Sequence, residues 1–293
     1  MRIMVVYGRE PDVNVHQLIA ASKKLGNETI STSIMNLSAS VGPNGSKFWN
    51  KNRELSHMDV CFLRSLGPGK HEQITRRISL IEHLERAGTH VVNSPHAFRT
   101  ARDKYATYCA LTNVGIKVPT TFVTENATLA YHISKQFGAF ICKPMIGSMG
   151  YGSMKFDNPD LAYNAFRLLE RIGQPIFIQE YLAKPGRDIR AFVLGKRVLA
   201  SIYRTALHGE WKTNVSQGGY VEAVDLPSEI EALAFKAAQK LGLEYAGIDI
   251  AETPQGPVVL EVNSSPSWQG LQKATNMRVA EHIIRYAIKK AKN

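Results

Sequence analysis

Two neighbouring strand-like segments near the carboxyl end of the chain constrain its fold and its chemistry more than any other feature. Residues 247–250 and 258–263 are mostly apolar and are separated by a short turn that contains proline and glycine. Asp249 lies between two isoleucines, and Glu261 and Asn263 are two positions apart, so these polar side chains share a face away from the apolar ones. Two carboxylates and an amide on one surface are typical of a Mg²⁺ site. A sheet with one solvated polar face is the alternative interpretation.

Length and composition are those of a soluble globular enzyme. The 293 residues, of which 44% are hydrophobic and 21% charged, predict two or three compact units. There is no apolar run of the roughly 18 residues that a transmembrane helix needs, and no signal peptide is predicted. The three cysteines are far apart and the histidines have no zinc-ligand spacing. We therefore expect a cytoplasmic protein with reduced thiols, no membrane segment and no catalytic zinc.

The chain is strongly basic, with a formal net charge of +11. Such a charge favours anionic partners, among them nucleotides, acidic peptides, phosphorylated coenzymes and nucleic acid. The pair Arg76–Arg77 is short, and we interpret it as part of a solvated helix face. No aromatic-basic platform accompanies the charge, which disfavours a nucleic-acid-binding function.

The first part of the chain, residues 1–95, alternates between strand and helix patterns, which predicts a mostly parallel sheet. The predicted strands are 3–7, 29–35, 59–64 and 91–93, the predicted helices are 12–25 and 70–87, and a turn-rich loop is predicted at 41–46.

Arg64 ends one of these predicted strands. Ligands of open α/β sheets lie beyond the carboxyl ends of the strands, so Arg64 is a candidate anchor for a carboxylate or phosphate. A surface arginine is an equally good interpretation.

A lysine and a glycine-rich loop follow each other in the middle of the chain. Lys143 lies in an apolar strand, where a lysine needs an anionic partner. The loop 147–153 contains Gly147, Gly150 and Gly152, and glycines let backbone N–H groups wrap a phosphate chain. Alone, this loop indicates a hairpin turn. With Lys143 beside it, phosphate binding is the preferred interpretation.

Two further polar groups follow in the chain. Gln179, Glu180 and Tyr181 end a strand, where backbone groups are placed to contact an adenine edge. A dense set of ionic and amide side chains then surrounds a predicted antiparallel sheet, more than a purely structural sheet needs: Asp188, Arg190, Arg204, Lys212 and Asn214.

Together these motifs resemble the ATP-grasp superfamily and, within it, the RimK-type α-L-glutamate ligases. The order and spacing of the motifs match from about residue 90 to the end, and the first part matches more loosely, through the strand that ends in Arg64. The resemblance implies an α/β (α+β) fold, namely an ATP-grasp fold with an N-terminal parallel-sheet pre-ATP-grasp domain. The implied domains are the N-terminal domain 1–95, a central ATP-grasp subdomain 96–182 and a C-terminal ATP-grasp subdomain 183–293.

The resemblance also implies residue roles. For ATP it implies Lys104, Lys143, Gly147, Ser148, Gly150, Gly152, Gln179, Glu180, Tyr181, Asp188, Lys212, Thr213 and Asn214. For metal it implies Asp249, Glu261 and Asn263, and for the acyl phosphate the catalytic pair Arg190 and Arg204. The implied substrate residues are Arg64 and Trp268, the latter being bulky where the family commonly has glycine, on the expected acceptor side.

The implied activity is an ATP-dependent ligase that joins glutamate to an amine through an acyl phosphate. The implied cofactors are ATP and Mg²⁺, with Mn²⁺ as a possible replacement. The acceptor is a coenzyme such as tetrahydromethanopterin, slightly preferred, or a protein C-terminus, and a homo-oligomer is compatible with the sequence. An ATP-grasp kinase that stops at phosphoryl transfer to a hydroxyl is the main alternative.

Overall fold

The N-terminal part of the computed structural model is a parallel sheet flanked by helices. The structure describes residues 1–43, 45–147, 150–207, 210–213 and 219–292. The N-terminal elements are β1 (Arg2–Tyr7), α1 (Val13–Lys24), β2 (Glu28–Ser33), β3 (Leu37–Gly42), β4 (Gly45–Asn50), β5 (Arg53–Glu54), β6 (Val60–Leu63), α2 (His71–Arg86) and β7 (His90–Val92). The order β2-β1-β6-β7 is parallel throughout, as the alternation of strands and helices predicted.

A small antiparallel sheet forms where only a loop was predicted. Strands β3, β4 and β5 pair in that order, and β3 pairs with β4 from Leu37↔Asn50 to Gly42↔Gly45. The predicted loop at 41–46 was therefore wrong in extent, although Asn44 lies outside the described residues. Gly45 has a φ of 91°, a value that glycine adopts easily because it has no Cβ atom, and this allows the tight reversal between the two strands.

The central part carries a second, antiparallel sheet and begins with two consecutive helices, although the sequence pattern of residues 97–113 predicts a single one. Asp103 interrupts the helix because its carboxylate accepts hydrogen bonds from the backbone N–H groups of Tyr105 and Ala106, which caps a new helix. The elements are α3 (Pro95–Arg102), α4 (Lys104–Thr112), β8 (Thr121–Thr124), α5 (Ala127–Ser134), β9 (Phe140–Cys142), β10 (Met154–Phe156), α6 (Pro159–Arg171) and β11 (Ile176–Glu180), with sheet order β10-β9-β11-β8.

The C-terminal part is built on a five-stranded antiparallel sheet, ordered β14-β13-β12-β15-β16. Its elements are β12 (Arg187–Leu194), β13 (Arg197–Thr205), β14 (Tyr220–Ala223), α7 (Ser228–Lys240), β15 (Tyr245–Thr253), β16 (Gly256–Asn263), α8 (Gln269–Thr275) and α9 (Val279–Ala291). The segments 247–250 and 258–263 are thus neighbouring strands, as predicted.

The hydrophobic cores cross the predicted domain bounds at two places. Ala97 and Leu111, from α3 and α4, pack with the C-terminal sheet and α7. Residues of α9 pack in one cluster with Ile3 and Phe62 of the N-terminal sheet. The bounds at 95 and 182 remain a prediction for the chain, while the predicted class, mixed α/β with an N-terminal parallel sheet, is confirmed. No helix among the described residues is long and apolar enough to cross a membrane.

Candidate active site

An open cleft lies between the central and C-terminal sheets, lined by residues of both. The fold brings many of the predicted residues to its walls although they are distant in sequence. Those that line it are Lys104, Lys143, Gly147, Gly150, Gln179, Glu180, Tyr181, Asp188, Arg204, Lys212, Thr213, Asp249 and Glu261. Two predicted residues, Ser148 and Asn214, lie outside the described part of the chain.

The acidic residues of β15 and β16 are placed as their strand positions predicted. Asp249 lies directly opposite Glu261 in the antiparallel pairing, so both side chains point to the same face. Ile248, Ile250 and Val262 are buried on the other face, where they pack against α7. The alternation of polar and apolar residues is therefore the physical reason that both carboxylates reach the cleft.

Two arginines neutralise the buried carboxylate of Asp249. Arg190 contacts both oxygens, through Nε to Oδ1 and through Nη2 to Oδ2 at 2.9 Å. Arg204 contacts Oδ2 through Nη2 at 2.8 Å. Burial alone would raise the pKa of Asp249, but the two guanidinium groups hold it below its ordinary value. Asp249 is thus an anion in this cleft, and Arg190 is held on it instead of lining the cleft.

A second buried carboxylate, Asp188, anchors the other end of this network. Its Oδ1 accepts a hydrogen bond from Arg204 Nε at 2.7 Å, and its Oδ2 accepts from Thr213 and, at 3.3 Å, from Lys184. Burial would lower the pKa of Arg204, but Asp249 and Asp188 together raise it above its ordinary value. Arg204 is therefore a fixed positive charge at the cleft wall.

Two lysines lie on the opposite wall. Lys104 Nζ donates to the carbonyl of Gly147 at 2.8 Å and lies 3.4 Å from Glu261 Oε1. Lys143 Nζ donates to Gln179 Oε1 at 2.9 Å. Burial lowers the pKa of Lys104, an effect that Glu261 opposes. Burial lowers the pKa of Lys143 to about 8, again against the attraction of Glu261.

The glycine-rich loop joins β9 to β10, which pair as an antiparallel hairpin. The hairpin interpretation is thus confirmed, and phosphate binding by the loop stays a prediction. Gly150 and Gly152 have φ of 71° and 74°, which side chains other than glycine rarely adopt. A Cβ atom at Gly152 would lie 2.9 Å from Pro144 Cγ. Lys212 Nζ donates to the Gly150 carbonyl at 3.2 Å, which ties the loop to the C-terminal part. Gly152 itself does not line the cleft.

The strand end at Gln179–Tyr181 lines one end of the cleft, where polar and apolar side chains lie side by side. The backbone N–H groups of Glu180 and Tyr181 donate to Thr120 and Ala139, so they are already used inside the protein. The Tyr181 ring lies between Lys155 Nζ, 4.0 Å from its centroid, and Trp211, whose ring stands edge-on at 6.4 Å.

Several lining residues were not predicted from the sequence. They are mostly apolar: Ile141, Leu182, Lys184, Trp211 and Leu260. The sequence could have indicated Ile141, because it is two residues before Lys143 and so shares its face of the strand. It could not have indicated Leu260. The strand pairing skips from Asp249↔Glu261 to Ile250↔Val259, so Leu260 is the extra residue of a β-bulge.

The residues predicted to hold a metal fit Mg²⁺ in part. No cluster of three or more histidine, cysteine or acidic residues suited to a metal occurs in the described chain, so a site here needs the Asn263 amide and ligand oxygens. Asn263 Nδ2 is buried and has no hydrogen-bond partner among the described residues. An amide can turn by 180° and present its oxygen at that position. Glu261 pairs with Lys104 alone in the described structure, which leaves its carboxylate freer than that of Asp249.

Arg64 and Trp268 were predicted to contact substrate, but the structure buries both away from the cleft. Arg64 donates from Nη1 to Tyr245 Oη and from Nη2 to the Pro266 carbonyl, both at 3.0 Å. Its guanidinium carbon lies 4.8 Å from the centroid of the Trp268 ring. Trp268 is fully buried, and its Nε1 donates to Gln17 Oε1. Neither side chain lines the cleft, so the predicted contact of Arg64 and Trp268 with substrate stays a prediction without support from the cleft geometry.

Arg77 is also buried, contrary to the solvated helix face predicted for Arg76–Arg77. Its Nη1 donates to the carbonyls of Leu66 and Pro68, both at 2.7 Å. It therefore fixes the loop that follows β6.

Solved structures place this fold among ATP-grasp ligases. The ATP-grasp ligase PsnB, complexed with Mg, ADP and a phosphomimetic variant of a minimal precursor, superposes with a TM-score of 0.78 over 99% of this chain and 98% of PsnB, at 22% identity. The RimK domain protein of Sphaerobacter thermophilus gives a TM-score of 0.75 over 98% of this chain and 99% of that protein, at 21% identity. The chain thus has the ATP-grasp fold.

Sequence relatives specify the family. The RimK-like ATP-grasp domain matches residues 101–287. The tetrahydromethanopterin:alpha-L-glutamate ligase of Methanosarcina acetivorans is 33% identical over 261 residues, covering 79% of this chain and 80% of the relative. A probable alpha-L-glutamate ligase of Legionella pneumophila is 34% identical over 73% of this chain and 72% of the relative. The chain belongs to the RimK-like ATP-grasp family, and its class is that of ATP-dependent ligases that form carbon–nitrogen bonds.

Proposed function

We propose that the protein activates the carboxylate of glutamate, or of a similar amino acid, with ATP and transfers the acyl group to an amine. The observation that carries this proposal is the cleft itself, where two lysines face two carboxylates and a fixed arginine. Lysines bind phosphates, carboxylates coordinate a divalent cation, and an arginine stabilises an oxyanion. A binding protein without chemistry would not need all three groups on the walls of one cleft.

The proposed nucleotide site uses both walls. Lys104 and Lys143 bind the phosphates, and the loop with Gly147 and Gly150 covers them. The adenine lies in the corner next to Tyr181, against the apolar side chains of Ile141, Leu182, Trp211 and Leu260. Because the N–H groups of Glu180 and Tyr181 are already bonded, the adenine edge contacts the neighbouring carbonyls and Leu182. The complexes of PsnB with Mg and ADP or with AMPPNP support a nucleotide in such a fold.

The proposed metal ligands are Glu261 and Asn263, with Asp249 beside them. Oxygen ligands of this kind together with phosphate oxygens suit Mg²⁺. When bound, Mg²⁺ supplies positive charge that offsets repulsion between the phosphates and the incoming carboxylate. In Asp249, Oδ2 is contacted by both guanidinium groups, whereas Oδ1 accepts from Arg190 alone, so Oδ1 is the oxygen with a lone pair left for a cation.

The proposed reaction has two steps. An oxygen of the donor carboxylate attacks the γ-phosphorus, and the bond between the γ-phosphorus and the β–γ bridging oxygen breaks. ADP is released, and the donor carboxylate becomes an acyl phosphate. The acceptor amine then attacks the acyl carbon, loses a proton and expels inorganic phosphate, which gives the amide. Arg204 lines the cleft and stabilises the developing oxyanion, while Arg190 holds Asp249 in place. No nucleophile of the protein is required.

Glutamate as donor and an anionic acceptor are proposed from the relatives and from the charge. Relatives that span about four-fifths of the chain are named tetrahydromethanopterin:alpha-L-glutamate ligases. PsnB, whose likeness shows the fold alone, is complexed with precursor peptide. The net charge of +11 favours an anionic acceptor of either kind. We prefer a coenzyme to a protein tail because the relatives with a named acceptor act on a coenzyme.

Mass spectrometry of reaction products tests the proposal. The protein is incubated with Mg-ATP, glutamate and a panel of coenzyme and peptide acceptors, and ADP is measured in parallel. We expect an acceptor heavier by one or more glutamyl residues, and a glutamyl hydroxamate when hydroxylamine replaces the acceptor. ADP with a phosphorylated hydroxyl and no amide would instead identify a kinase and overturn the ligase assignment.

A further inference from the structure

A buried tyrosine that does not line the cleft is connected to one of the cleft lysines through a short chain of hydrogen bonds. Tyr108, on α4, is 4% exposed. Its hydroxyl lies 2.5 Å from the carbonyl oxygen of Leu260 and 2.6 Å from Nε2 of Gln179. Gln179 Oε1 in turn lies 2.9 Å from Lys143 Nζ. Residues from α4, β11 and β16 thus meet behind the lysine.

The chemistry of these groups fixes which atom donates in each of the three hydrogen bonds. A carbonyl oxygen can only accept, so Tyr108 must use its single proton on Leu260. The hydroxyl then has only lone pairs left, so Gln179 must turn its NH₂ group toward Tyr108. The Gln179 oxygen is thereby directed at Lys143, whose ammonium can only donate. The orientation of the amide is fixed by its partners at both ends.

This orientation matters because Lys143 is half-buried and its ammonium donates to the Gln179 oxygen. Burial lowers the pKa of Lys143 to about 8, against the attraction of the Glu261 and Asp249 carboxylates, and Lys104 is a second positive charge close to it. The ammonium also lies 5.4 Å from the centroid of the Phe177 ring and 5.8 Å from that of Tyr108. If the amide turned over, an NH₂ group would face the ammonium, and the lysine would lose an acceptor and gain a repulsive dipole.

We propose that Tyr108 is a positioning residue that holds Lys143, through Gln179, in the charged state and the place needed to bind the ATP phosphates. The inference rests on the proposed function, since it assigns a role in nucleotide binding. Tyr108 touches no substrate. It acts by excluding one of the two orientations of the Gln179 amide.

Tyr108→Phe tests the proposal, because it removes the hydroxyl and keeps the ring. We expect the dissociation constant of Mg-ATP, measured by calorimetry near neutral pH, to rise roughly fivefold to tenfold, as for the loss of a buried hydrogen bond. Without the hydroxyl the Gln179 amide is free to turn over, and Lys143 then loses its acceptor, so the weakening of ATP binding at alkaline pH should begin at a lower pH than in the wild type. The KM values for the amino acid and the acceptor should not change. Tyr105→Phe, an exposed tyrosine on the same helix, is the matched control.

A double-mutant cycle separates positioning from simple packing. If Tyr108 acts through Gln179, Gln179→Ala should weaken ATP binding by a similar factor, and adding Tyr108→Phe should weaken it no further. Tyr108→Met provides a second variant without the hydroxyl, in a side chain that adapts to irregular space.

Three outcomes overturn the proposal. One is unchanged ATP affinity and pH profile in the hydroxyl-free variants with only a lower melting temperature, which would make Tyr108 a packing residue. Another is full additivity in the cycle. If neither hydroxyl-free variant folds, unchanged ATP affinity in Gln179→Ala overturns it. Absence of ATP binding in the wild type is a different result, because it removes the proposed function itself.

Discussion

At the scale of single residues, the cleft contains charged side chains that are partly or fully buried and are paired with other polar groups. Two arginines keep the pKa of Asp249 below its ordinary value, and the carboxylates of Glu261 and Asp249 oppose the effect of burial on the pKa of Lys143. Such environments are typical of sites where a charge has to act on a ligand and not on solvent. Lys143 and Glu261, both half-buried, each give a test of this description.

The charge on Lys143 predicts how ATP binding depends on pH. A lysine with a pKa of about 8 is charged below that pH and loses its charge as the pH rises through it. We therefore expect Mg-ATP affinity to be constant near neutrality and to weaken by at most about tenfold per pH unit at alkaline pH. Calorimetry over this range measures the effect. Lys143→Arg stays charged and should flatten the profile; an equally steep profile in that variant would contradict the assignment.

We expect the variant Glu261→Gln to lose turnover and to keep its fold. The substitution keeps the size of the side chain and removes one charge that contacts only Lys104 in the described structure. We expect turnover to fall about 100-fold or more, which corresponds to ~2.7 kcal/mol of barrier. The free energy of unfolding should change by less than about 1 kcal/mol. Product formation and urea denaturation measure the two effects.

The matched control for that variant is Glu252→Gln, which removes a similar carboxylate from β15, where Glu252 pairs with Arg187 at 3.3 Å. It should be as active as the wild type. Near-normal turnover in Glu261→Gln would refute its role as a metal ligand.

At the scale of elements, small irregularities place the functional groups. Asp103 ends α3 and caps α4, which puts Lys104 at the first position of a helix. The bulge in β16 turns Leu260 into the cleft next to Glu261. Gly247 in β15 leaves room for the Arg190 side chain, whose Cδ would lie 3.2 Å from an added Cβ.

Gly247→Ala should therefore impair catalysis through the strand that carries Asp249. The new methyl group would lie 2.9 Å from Pro266 Cβ and 3.2 Å from Arg190 Nη1, so Arg190 has to move away from Asp249. We expect a loss of roughly 1–3 kcal/mol in the free energy of unfolding and a fall in turnover of about tenfold or more.

Gly138→Ala is the control, because an added Cβ there meets nothing within 4 Å. Steady-state kinetics and urea denaturation compare the two variants. Unchanged turnover in Gly247→Ala would show that the position of Arg190 is not needed.

At the scale of the whole molecule, the N-terminal sheet is locked to the C-terminal sheet by buried polar residues. Asn93 Nδ2 donates to the carbonyls of Tyr245 and Ser264, at 2.8 and 2.7 Å, and its Oδ1 accepts from the N–H groups of Glu244 and Tyr245. Arg64 adds bonds to the same region. These contacts hold the strand end near Pro266 in a fixed position relative to β15.

Asn93→Ala should consequently destabilise the whole chain. It removes four hydrogen bonds and leaves buried backbone groups unpaired, so we expect a loss of about 3 kcal/mol or more in the free energy of unfolding. Asn126→Ala removes only the N-cap of α5 and should cost about 1 kcal/mol. Urea denaturation compares them, and equal losses would show that the junction contributes no more than a surface cap.

The sequence by itself determined which strand residues face the cleft. Asp249 and Glu261 were predictable because alternation along a strand assigns each side chain to a face, and that rule needs only the chain. The parallel N-terminal sheet and the family followed from local patterns and the order of motifs in the same way.

Only the tertiary structure decided what those residues contact. Arg64 and Trp268 look free in the sequence, but the structure buries both, because Arg64 bonds to Tyr245 and to the Pro266 carbonyl and Trp268 bonds to Gln17 of α1. The bulge at Leu260 and the link from Tyr108 to Lys143 depend on strands and helices far apart in the chain. Local patterns fix the direction of a side chain, whereas burial, pKa and hydrogen-bond partners depend on elements that only folding brings together.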